Sequence, residues 1–482
     1  MVFSNAIFLL MFLPLTGIIY YLIPNRFIKV KNLWLLGMSL IFYAWGEPVY
    51  IIVMIISTLI DYFAGLIIWK FGENKHIRRA CLIVSIVMNL SLLFTFKYSG
   101  FIARNVNALA GQTVFDPAKT YFLGIDFLPL NILPIGISFF TFQSMSYTID
   151  MYRGDIEVQK NPINFGAFVT MFPQLVAGPI VRYTDISKEI NSRRINIDLV
   201  YDGVVRFITG MGKKILIANS VGQLWDTVLL YDRAETSVLT AWIGIIAYTL
   251  QIYFDFSGYS DMAIGLGKMM GFNFPENFNY PYLSKSISEF WRRWHITLGA
   301  WFRSYVYIPL GGNRKGIART VFNLAVVWLL TGIWHGSDWT FILWGCLYGV
   351  VIIMERLFLG KLLDKLPDWI CWLYTMLLVM LGWVLFASPD ISTAFSYMGN
   401  MFGSSGVLSD DRALYLLKNY AVVLIFGIFG ATDAWKIIVE TAERRLPALV
   451  HWATPFCKTA VFVLCTAYLV DATYNPFLYF IF

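Results

Sequence analysis

The sequence predicts an all-α protein that crosses a membrane many times, and three observations support this prediction. Of the 482 residues, 58% are hydrophobic and only 14% are charged, a composition that is unlike that of a soluble domain. Apolar runs long enough to span, or nearly span, a bilayer recur along the chain. Lys and Arg collect in alternate connections between these runs, as in cytoplasmic loops. Because one span takes about 20 residues, we expect about ten to twelve membrane elements, some of them re-entrant.

Charge and cysteine content exclude several other classes of protein. The net charge of +7 is spread over the chain without a long Lys/Arg block, which fits cytoplasmic loops better than nucleic-acid binding. The five cysteines form no CxxC pair, so we expect buried thiols and neither a metal site nor a disulfide framework. Residues 6–23 lack a basic leader and a cleavage site, which predicts a retained first span.

The first spans follow a regular alternation. Arg26, Lys29 and Lys31 follow the first run, and a second basic group extends from Lys70 to Arg79, so both connections are predicted to be cytoplasmic. A turn signal at 46–48 separates the second run from the third. The predicted spans are residues 6–23, 33–45, 49–69, 81–96 and 128–149, the last with a kink at Pro134 and Gly136.

The middle of the chain, residues 160–310, leaves the topology open. Residues 164–179 are apolar but interrupted by Pro173, Gly178 and Pro179, which predicts a partly inserted or re-entrant segment. Residues 182–206 are charged and are expected on the cytoplasmic surface. A span at 242–256 leads into Asp255 and Asp261, which we expect to be structural partners of buried arginine rather than catalysts.

The C-terminal part returns to regular alternation. Spans are predicted at 321–334, 341–354, 369–387, 416–428 and 459–470, with Glu355 and Arg356 marking a cytoplasmic connection and 389–414 an outer loop. No internal repeat and no interdomain linker is visible, so residues 1–482 are predicted to form one transmembrane domain. Residues 471–482 are predicted to be a tail outside the cytoplasm.

His335 is the residue whose predicted depth points to a site. The run from 321 to 334 starts at a basic, cytoplasmic loop, and a helix of about 15 residues rises only about 20 Å of a hydrocarbon core about 30 Å thick. His335 therefore lies inside the bilayer, and Gly336 then breaks the helix. Such a residue is tolerated there only where protein or water surrounds it. Acid–base catalysis and a structural hydrogen bond between helices both fit this position.

His295 ends a stretch rich in Trp and Arg at residues 289–295. If this stretch is helical, Glu289 faces both Arg292 and Arg293, while Trp294 and His295 lie on the opposite face. An interfacial amphipathic helix with tryptophan anchors explains the pattern. Arginines that bind the phosphates of a cofactor at the cytoplasmic mouth are the alternative, and spacing alone favours the interfacial helix.

The aromatic residues at 477–482, FLYFIF, are typical of a membrane-interface belt. The hydroxyl of Tyr479 is alternatively a nucleophile.

Four ordered motifs together resemble those of the membrane-bound O-acyltransferase superfamily, and most closely its bacterial alginate O-acetyltransferase branch. They are MFPQLVAGPIVRY at 171–183, YFDFSGYSDMAIGLGKMMGF at 253–272, FWRRWHITLGAWFRSYVYIPLGGNR at 290–314 and LTGIWHG at 330–336. The resemblance implies a ring of transmembrane helices around a thinned centre, with a tunnel that meets both faces at His335. It also implies that His335 is the catalytic histidine and that His295 supports it, by orienting the donor or stabilising an oxyanion. Arg292, Arg293 and Trp294 then become candidates for donor binding.

The activity implied by this resemblance is transfer of acetyl from cytoplasmic acetyl-CoA, without a metal, across the inner membrane of a bacterium. The acceptor would be a hydroxyl on an extracytoplasmic polysaccharide, reached through a separate SGNH-type transferase. The ending FxYFxF departs from the branch and resembles a terminal acyl-transfer motif in which a tyrosine, here Tyr479, carries the acyl group. The alternatives are a teichoic acid D-alanyl transferase that uses an acyl carrier protein, a transporter, or a scaffold without chemistry of its own.

Overall fold

A computed structural model describes residues 3–116, 121–122, 125–126, 133–232, 235–471, 474 and 476. The chain divides into two compact units, of which unit 1 comprises Met1–Val204 with Ala263–Pro275 and unit 2 comprises Val205–Met262 with Glu276–Phe482. This division does not test the expectation of one transmembrane domain over residues 1–482, which stays a prediction. The all-α prediction is confirmed, since one antiparallel pair of two-residue strands is the exception within the described ranges.

Unit 1 holds the N-terminal helices. A π-helical turn, Phe8–Phe12, precedes α1, and a 3₁₀ turn, Asn25–Phe27, precedes α2. The elements are α1 Leu13–Leu22, α2 Ile28–Gly46, α3 Ile51–Lys70, α4 Lys75–Ala110, β1 Tyr121–Phe122, β2 Ile125–Asp126, α5 Ile137–Arg153, α6 Pro162–Thr170, α7 Phe172–Leu175, α8 Tyr183–Asn191 and α9 Ile197–Met211, which continues into unit 2.

Two predicted irregularities of unit 1 are resolved by its backbone. The interrupted segment folds as α6 and α7, and residues 164–179 are buried throughout. The kink predicted at Pro134 and Gly136 is wrong, because α5 starts there instead of passing through. Gly136 is its N-cap in the left-handed region (φ +73°), and a Cβ at this position would lie 2.6 Å from the carbonyl oxygen of Leu175. Only glycine combines that φ with that approach.

Unit 2 holds the later helices. Where the structure describes unit 2, its helices are interrupted by π-helical turns at Gly212–Ala218, Arg303–Tyr307 and Glu355–Leu359, and there is a 3₁₀ turn at Pro281–Leu283. The α-helices are α10 Asn219–Leu229, α11 Val238–Met269 (which ends in unit 1), α12 Ile287–Arg293, α13 Ile296–Phe302, α14 Ile317–His335, α15 Trp339–Met354, α16 Gly360–Leu363, α17 Asp368–Ala387, α18 Ile391–Met401, α19 Asp411–Gly430, α20 Ala434–Arg445 and α21 Pro447–Asp471.

Among the described residues, nine helices are long and apolar enough to cross a membrane, and Phe8–Leu22 is a shorter apolar helix at the predicted first span. Several expose large apolar side chains, for example Trp452 and Phe456 on α21, as expected of a surface covered by lipid. The multi-pass prediction is therefore confirmed. The expectation that all cysteines are buried is wrong for Cys346 and Cys457, which lie exposed on α15 and α21.

Helix α11 extends well beyond its predicted end at residue 256 and continues to Met269. Asp255, which the predicted span already contained, and Asp261 therefore lie within one helix. Asp261 pairs with Arg206 at 2.6 Å and with Lys213 at 2.7 Å, as the prediction of an arginine partner required. Asp255 pairs with Lys214 at 2.5 Å instead of with an arginine. The helix persists because each buried carboxylate has a cationic partner.

Candidate active site

His335 is the last residue of α14, and the predicted helix break follows it directly. Gly336 is extended (φ −159°, ψ 164°) and starts the connection to α15. A Cβ at Gly336 would overlap the ring of Phe341, so a larger residue has no room at this bend. The local sequence therefore places a histidine at the end of a long apolar helix and turns the chain sharply beside it.

A crossing of glycines brings α14 and α15 into backbone contact. A Cβ at Gly345 would lie 2.6 Å from the carbonyl oxygen of Trp328 and 2.9 Å from the Cα of Gly332. Small residues at such crossings let membrane helices approach closely. This approach sets the distance between His335 and Trp344, which lies next to Gly345.

Aromatic rings enclose His335, which is only 5% exposed. Its ring centroid lies 4.8 Å from that of Trp344, 4.9 Å from that of Trp334 and 5.4 Å from that of Phe386. These rings fix the imidazole orientation and keep the surroundings apolar. An imidazole in such a place can take a proton from a hydroxyl that is brought within hydrogen-bond reach.

His295 lies in a backbone break that spacing did not predict. The helix considered for residues 289–295 does not reach His295, because α12 ends at Arg293 and α13 begins at Ile296. Between them, His295 adopts left-handed backbone angles (φ 44°, ψ 52°), which are unusual for a residue other than glycine. The amide of Ile296 donates to the Asn277 carbonyl at 3.0 Å and secures the break.

The partners of Asn277 fix the tautomer of His295. Asn277 Oδ1 accepts hydrogen bonds from the Thr297 backbone amide at 3.2 Å and from the Thr297 hydroxyl at 2.9 Å, so this atom is an acceptor. His295 Nδ1 lies 3.1 Å from the same oxygen and must therefore carry the proton that it donates. Burial lowers the pKa of His295 to about 3, which keeps the ring neutral at physiological pH. Nε2 then carries a lone pair and can only accept a hydrogen bond. His295 is therefore suited to orienting a group that donates a hydrogen bond, and it is not suited to stabilising an oxyanion.

The two histidines belong to one aromatic cluster of unit 2. The Trp334 ring lies 6.1 Å from the ring of His295 and 4.9 Å from the ring of His335. Phe256 of α11 meets His295 edge-on at 4.7 Å. The structure thus brings both predicted histidines next to the indole ring of Trp334.

One cavity of unit 2 adjoins this cluster, and a second cavity adjoins the first. The smaller, about 240 Å³, is lined mainly by apolar and aromatic residues and by His295. The larger, about 790 Å³, is more polar, and both are lined by Tyr307 and Leu324. Leu324 and Thr331 mark one face of α14, and His335 stands one turn beyond Thr331 on that face. The residues of α14 that line the two cavities therefore lie on the face of the helix that ends at His335.

The three candidate donor-binding residues differ in their surroundings. Arg292 lines the larger cavity, and its Nε donates to the Ser288 carbonyl at 3.2 Å. Arg293 forms an ion pair with Glu289 at 2.7 Å, so Glu289 serves one arginine and not both. Trp294 is 3% exposed, packs among aromatic rings and lines the smaller cavity. Of the two arginines, Arg292 is the one that faces a cavity.

Glu355 supports the site and was assigned in the sequence only to a cytoplasmic connection. It is 8% exposed, and its carboxylate accepts the backbone amides of Ile287 and Ser288, each at 2.8 Å. The Tyr374 hydroxyl donates to it at 3.1 Å. Glu355 therefore caps the first turn of α12, the helix that leads to His295. Only the occurrence of an acid directly after an apolar run hinted at this role.

Replacing Glu355 with Gln is expected to lower activity about tenfold or more, since a hydrogen bond to a charged group contributes about 1.5–3 kcal/mol. The two backbone amides bond to different oxygens of Glu355, and Gln would place an NH2 donor at one of these two positions. The measurement is acyl transfer in detergent or proteoliposomes together with the thermal midpoint. Glu440→Gln, which removes the charge of an exposed pair with Lys436, is the matched control. Equal activity of the two variants would contradict a supporting role for Glu355.

Tyr479, the predicted acyl carrier, lies outside the described residues, and its role stays a prediction. No group of three or more His, Cys, Asp or Glu side chains is arranged to hold a metal ion within the described part of the chain.

Comparison with known proteins identifies the family. Residues 139–362 match the family model of MBOAT, the membrane-bound O-acyltransferase family. A protein named "Probable alginate O-acetylase AlgI" from Azotobacter vinelandii is 38% identical, and the match covers 100% of both chains. A peptidoglycan O-acetyltransferase of Helicobacter pylori is 33% identical over 91% of this chain and 88% of its own. A teichoic acid D-alanyltransferase of Bacillus subtilis is 28% identical over 48% of this chain and 61% of its own.

The full-length similarity and the family model agree with the buried histidine at the end of a membrane helix. They decide against a transporter or a scaffold without chemistry. The chain belongs to the membrane-bound O-acyltransferase family and is a multi-pass membrane O-acyltransferase.

Proposed function

We propose that the protein is an O-acetyltransferase of the bacterial inner membrane that moves acetyl from cytoplasmic acetyl-CoA to an extracytoplasmic polysaccharide. The observation that carries the proposal is the buried His335 at the end of the α14 face that lines the two adjoining cavities. The names of the relatives support the acyl group and the acceptor, because they describe an alginate O-acetylase and a peptidoglycan O-acetyltransferase.

The two cavities match the two parts of the donor. The larger cavity presents Arg292 and Arg356, cations that suit the phosphates of acetyl-CoA, and it is also lined by four carboxylates, those of Glu289, Glu355, Asp364 and Asp368. A third cation, Lys285, is paired with Asp368 at 2.6 Å. The smaller, apolar cavity suits the pantetheine arm, which would bring the thioester past Thr331 toward His335. A polar cavity next to an apolar one favours a donor that has charged phosphates at one end and a thioester on a narrow arm at the other.

The chemistry follows from the position of His335. Its imidazole takes the proton of the acceptor hydroxyl, the hydroxyl oxygen attacks the thioester carbonyl, and the C–S bond breaks. The proton held by His335 then passes to the departing thiolate of CoA, which restores the neutral ring. Confinement of both reactants beside His335 supplies much of the rate. His295 Nε2 accepts a hydrogen bond from an N–H or O–H group in the site and so orients that group.

We further propose that Tyr479 is the first acceptor. Attack by its phenolic oxygen forms an acetyl ester, and an SGNH-type partner outside the cytoplasm then transfers this acetyl to a hydroxyl of the polysaccharide and regenerates the phenol. The FLYFIF ending and its predicted position outside the cytoplasm support this route.

Incubation of the purified protein with acetyl-CoA is expected to add one acetyl to the C-terminal peptide, as measured by intact mass and peptide mapping. The gain should be absent from Tyr479→Phe, which lacks the nucleophilic oxygen, and from His335→Ala, which lacks the base. Transfer to polysaccharide by Tyr479→Phe at the wild-type rate would instead show direct attack by the sugar hydroxyl and would overturn the relay.

Replacing Arg292 with Ala is expected to raise the KM for acetyl-CoA about tenfold or more with little change in kcat, because a charged contact to the remote phosphates contributes about 1.5–3 kcal/mol of binding. Steady-state release of CoA, followed with a thiol reagent, measures both constants. Arg314→Ala, an exposed arginine in the neighbouring loop, is the control and should keep the wild-type KM. A fall in kcat at unchanged KM would contradict phosphate binding by Arg292.

Transfer of D-alanine from an acyl carrier protein is the second candidate, and the match to a teichoic acid D-alanyltransferase is the observation that favours it. That match covers 48% of this chain, whereas the acetyl-transferring relatives match along 91% or more. The same mass measurement with D-alanyl carrier protein in place of acetyl-CoA separates the two donors.

A further inference from the structure

We propose that Lys214, Asp255 and Asp226 anchor the C-terminal segment at Tyr474 and Pro476 and so act as positioning residues for acyl transfer to Tyr479. This inference rests on the proposed relay, but the contacts that carry it lie among described residues. All of them belong to unit 2.

The first anchor is a buried ion pair. Lys214 and Asp255 are 1% and 3% exposed at their side chains, and Nζ lies 2.5 Å from Oδ1. Lys214 Nζ also donates to the backbone carbonyl of Pro476. An ammonium has three N–H donors, so it can hold the carboxylate and the carbonyl at the same time. The backbone at Pro476 is thereby held by the ammonium of Lys214, which Asp255 in turn holds in place.

The second anchor is a charged hydrogen bond two residues earlier. The Tyr474 hydroxyl donates to Asp226 Oδ2 at 2.5 Å. Gly222, one turn before Asp226 on α10, provides the space: a Cβ there would lie 3.0 Å from the Tyr474 oxygen and 2.6 Å from Gln251 Nε2. The tyrosine thus enters a gap that exists because residue 222 has no side chain.

The helices are shaped to bring the first anchor into the interior. A π-helical turn, Gly212–Ala218, carries Lys214 between α9 and α10. A Cβ at Gly258 would lie 2.8 Å from the Gly210 carbonyl oxygen and 3.0 Å from the Lys214 amide nitrogen, so the two backbones touch where they cross. Single π turns in helices are frequently found at functional sites. A buried ion pair is costly for stability by itself, which agrees with a positioning role.

The anchors connect the tail to the helix that contacts His295. Asp255 precedes Phe256 in α11, and the Phe256 ring lies 4.7 Å from the ring of His295. Three peptide units separate residue 476 from residue 479, a reach of at most about 11 Å. Fixing Pro476 therefore restricts how far Tyr479 can be from the anchors, and a tethered nucleophile reacts at a higher effective concentration than a free one.

The test compares acetylation of the protein's own tail with acetylation of a free peptide. Wild type, Tyr474→Phe and the double variant Lys214→Met/Asp255→Asn, which leaves no lone buried charge, are given acetyl-CoA. Tail acetylation is followed by intact mass, and transfer to a synthetic FLYFIF peptide at saturating concentration is followed separately. Tyr468→Phe, at an exposed tyrosine of α21, is the control.

We expect tail acetylation about tenfold or more slower in both anchor variants, because each loses a hydrogen bond to a charged group, and transfer to the free peptide at the wild-type rate. Hydrogen exchange should show faster exchange of the C-terminal peptide in these variants and no change in Tyr468→Phe. Equal tail acetylation in wild type and variants, or a parallel loss of both transfers, would overturn the positioning role. Failure of the proposed function looks different, since wild type would then acetylate neither its tail nor the peptide.

Discussion

Replacing His335 with Ala is expected to reduce O-acyl transfer about 10²–10⁴-fold, the range that a positioned general base contributes. The residue combines the features that the reaction needs: it ends an apolar helix, is held by three aromatic rings, and lies on the face of α14 that lines the cavities. Acetyl transfer in proteoliposomes, with CoA release as a second readout, measures the loss.

Histidines outside the cluster provide the control for this variant. His76 and His451 are exposed, and His76→Ala and His451→Ala should keep wild-type activity. A thermal midpoint of His335→Ala close to that of wild type would show that the fold is intact. Turnover near the wild-type rate in His335→Ala would exclude His335 as the catalytic base.

Replacing Gly345 with Ala is expected to lower activity more than tenfold and to destabilise the fold by about 1–3 kcal/mol, the usual cost of overpacking. The added Cβ would lie 2.6 Å from a backbone oxygen of α14 and 2.9 Å from a backbone carbon, and neither atom can rotate away. Helices α14 and α15 must separate, which moves His335 away from Trp344. A displacement of about 1 Å can cost about 10²-fold in rate.

Gly37→Ala, in the middle of α2, is the matched control, because no atom lies within 4 Å of the Cβ that it would add. There the substitution should be neutral or slightly stabilising, since Ala is the better helix former. Activity and thermal midpoint are measured for both variants. A Gly345→Ala protein with unchanged activity would show that the glycine crossing does not set the position of His335.

The sequence by itself determined the class of the protein and the identity of the main candidate. Hydropathy and loop charge depend on composition along the chain, so the multi-pass, all-α architecture could be predicted without any contact between helices. The depth predicted for His335 followed from the rise of an α-helix and from the basic loop before it. The helix break was predicted from Gly336 in the sequence. The ordered motifs added the family.

Tertiary structure decided the features that depend on residues far apart in sequence. The helix end at His295 depends on Asn277, 18 positions earlier, whose oxygen also sets the tautomer. The role of Glu355 depends on backbone amides 67 and 68 positions away. Local periodicity allowed a helix over residues 289–295 because periodicity contains no information about these partners.

The continuation of α11 and the anchoring of Tyr474 and Pro476 have the same origin. A stretch such as DFSGYSD looks like a helix end by propensity, but ion pairs from α9 and the adjoining π-helical turn keep it helical and buried. Composition predicted which segments are buried in the membrane, because hydropathy is a property of each residue by itself. Only packing determined which buried polar groups meet, because a buried charge is stable solely where the fold supplies its partner.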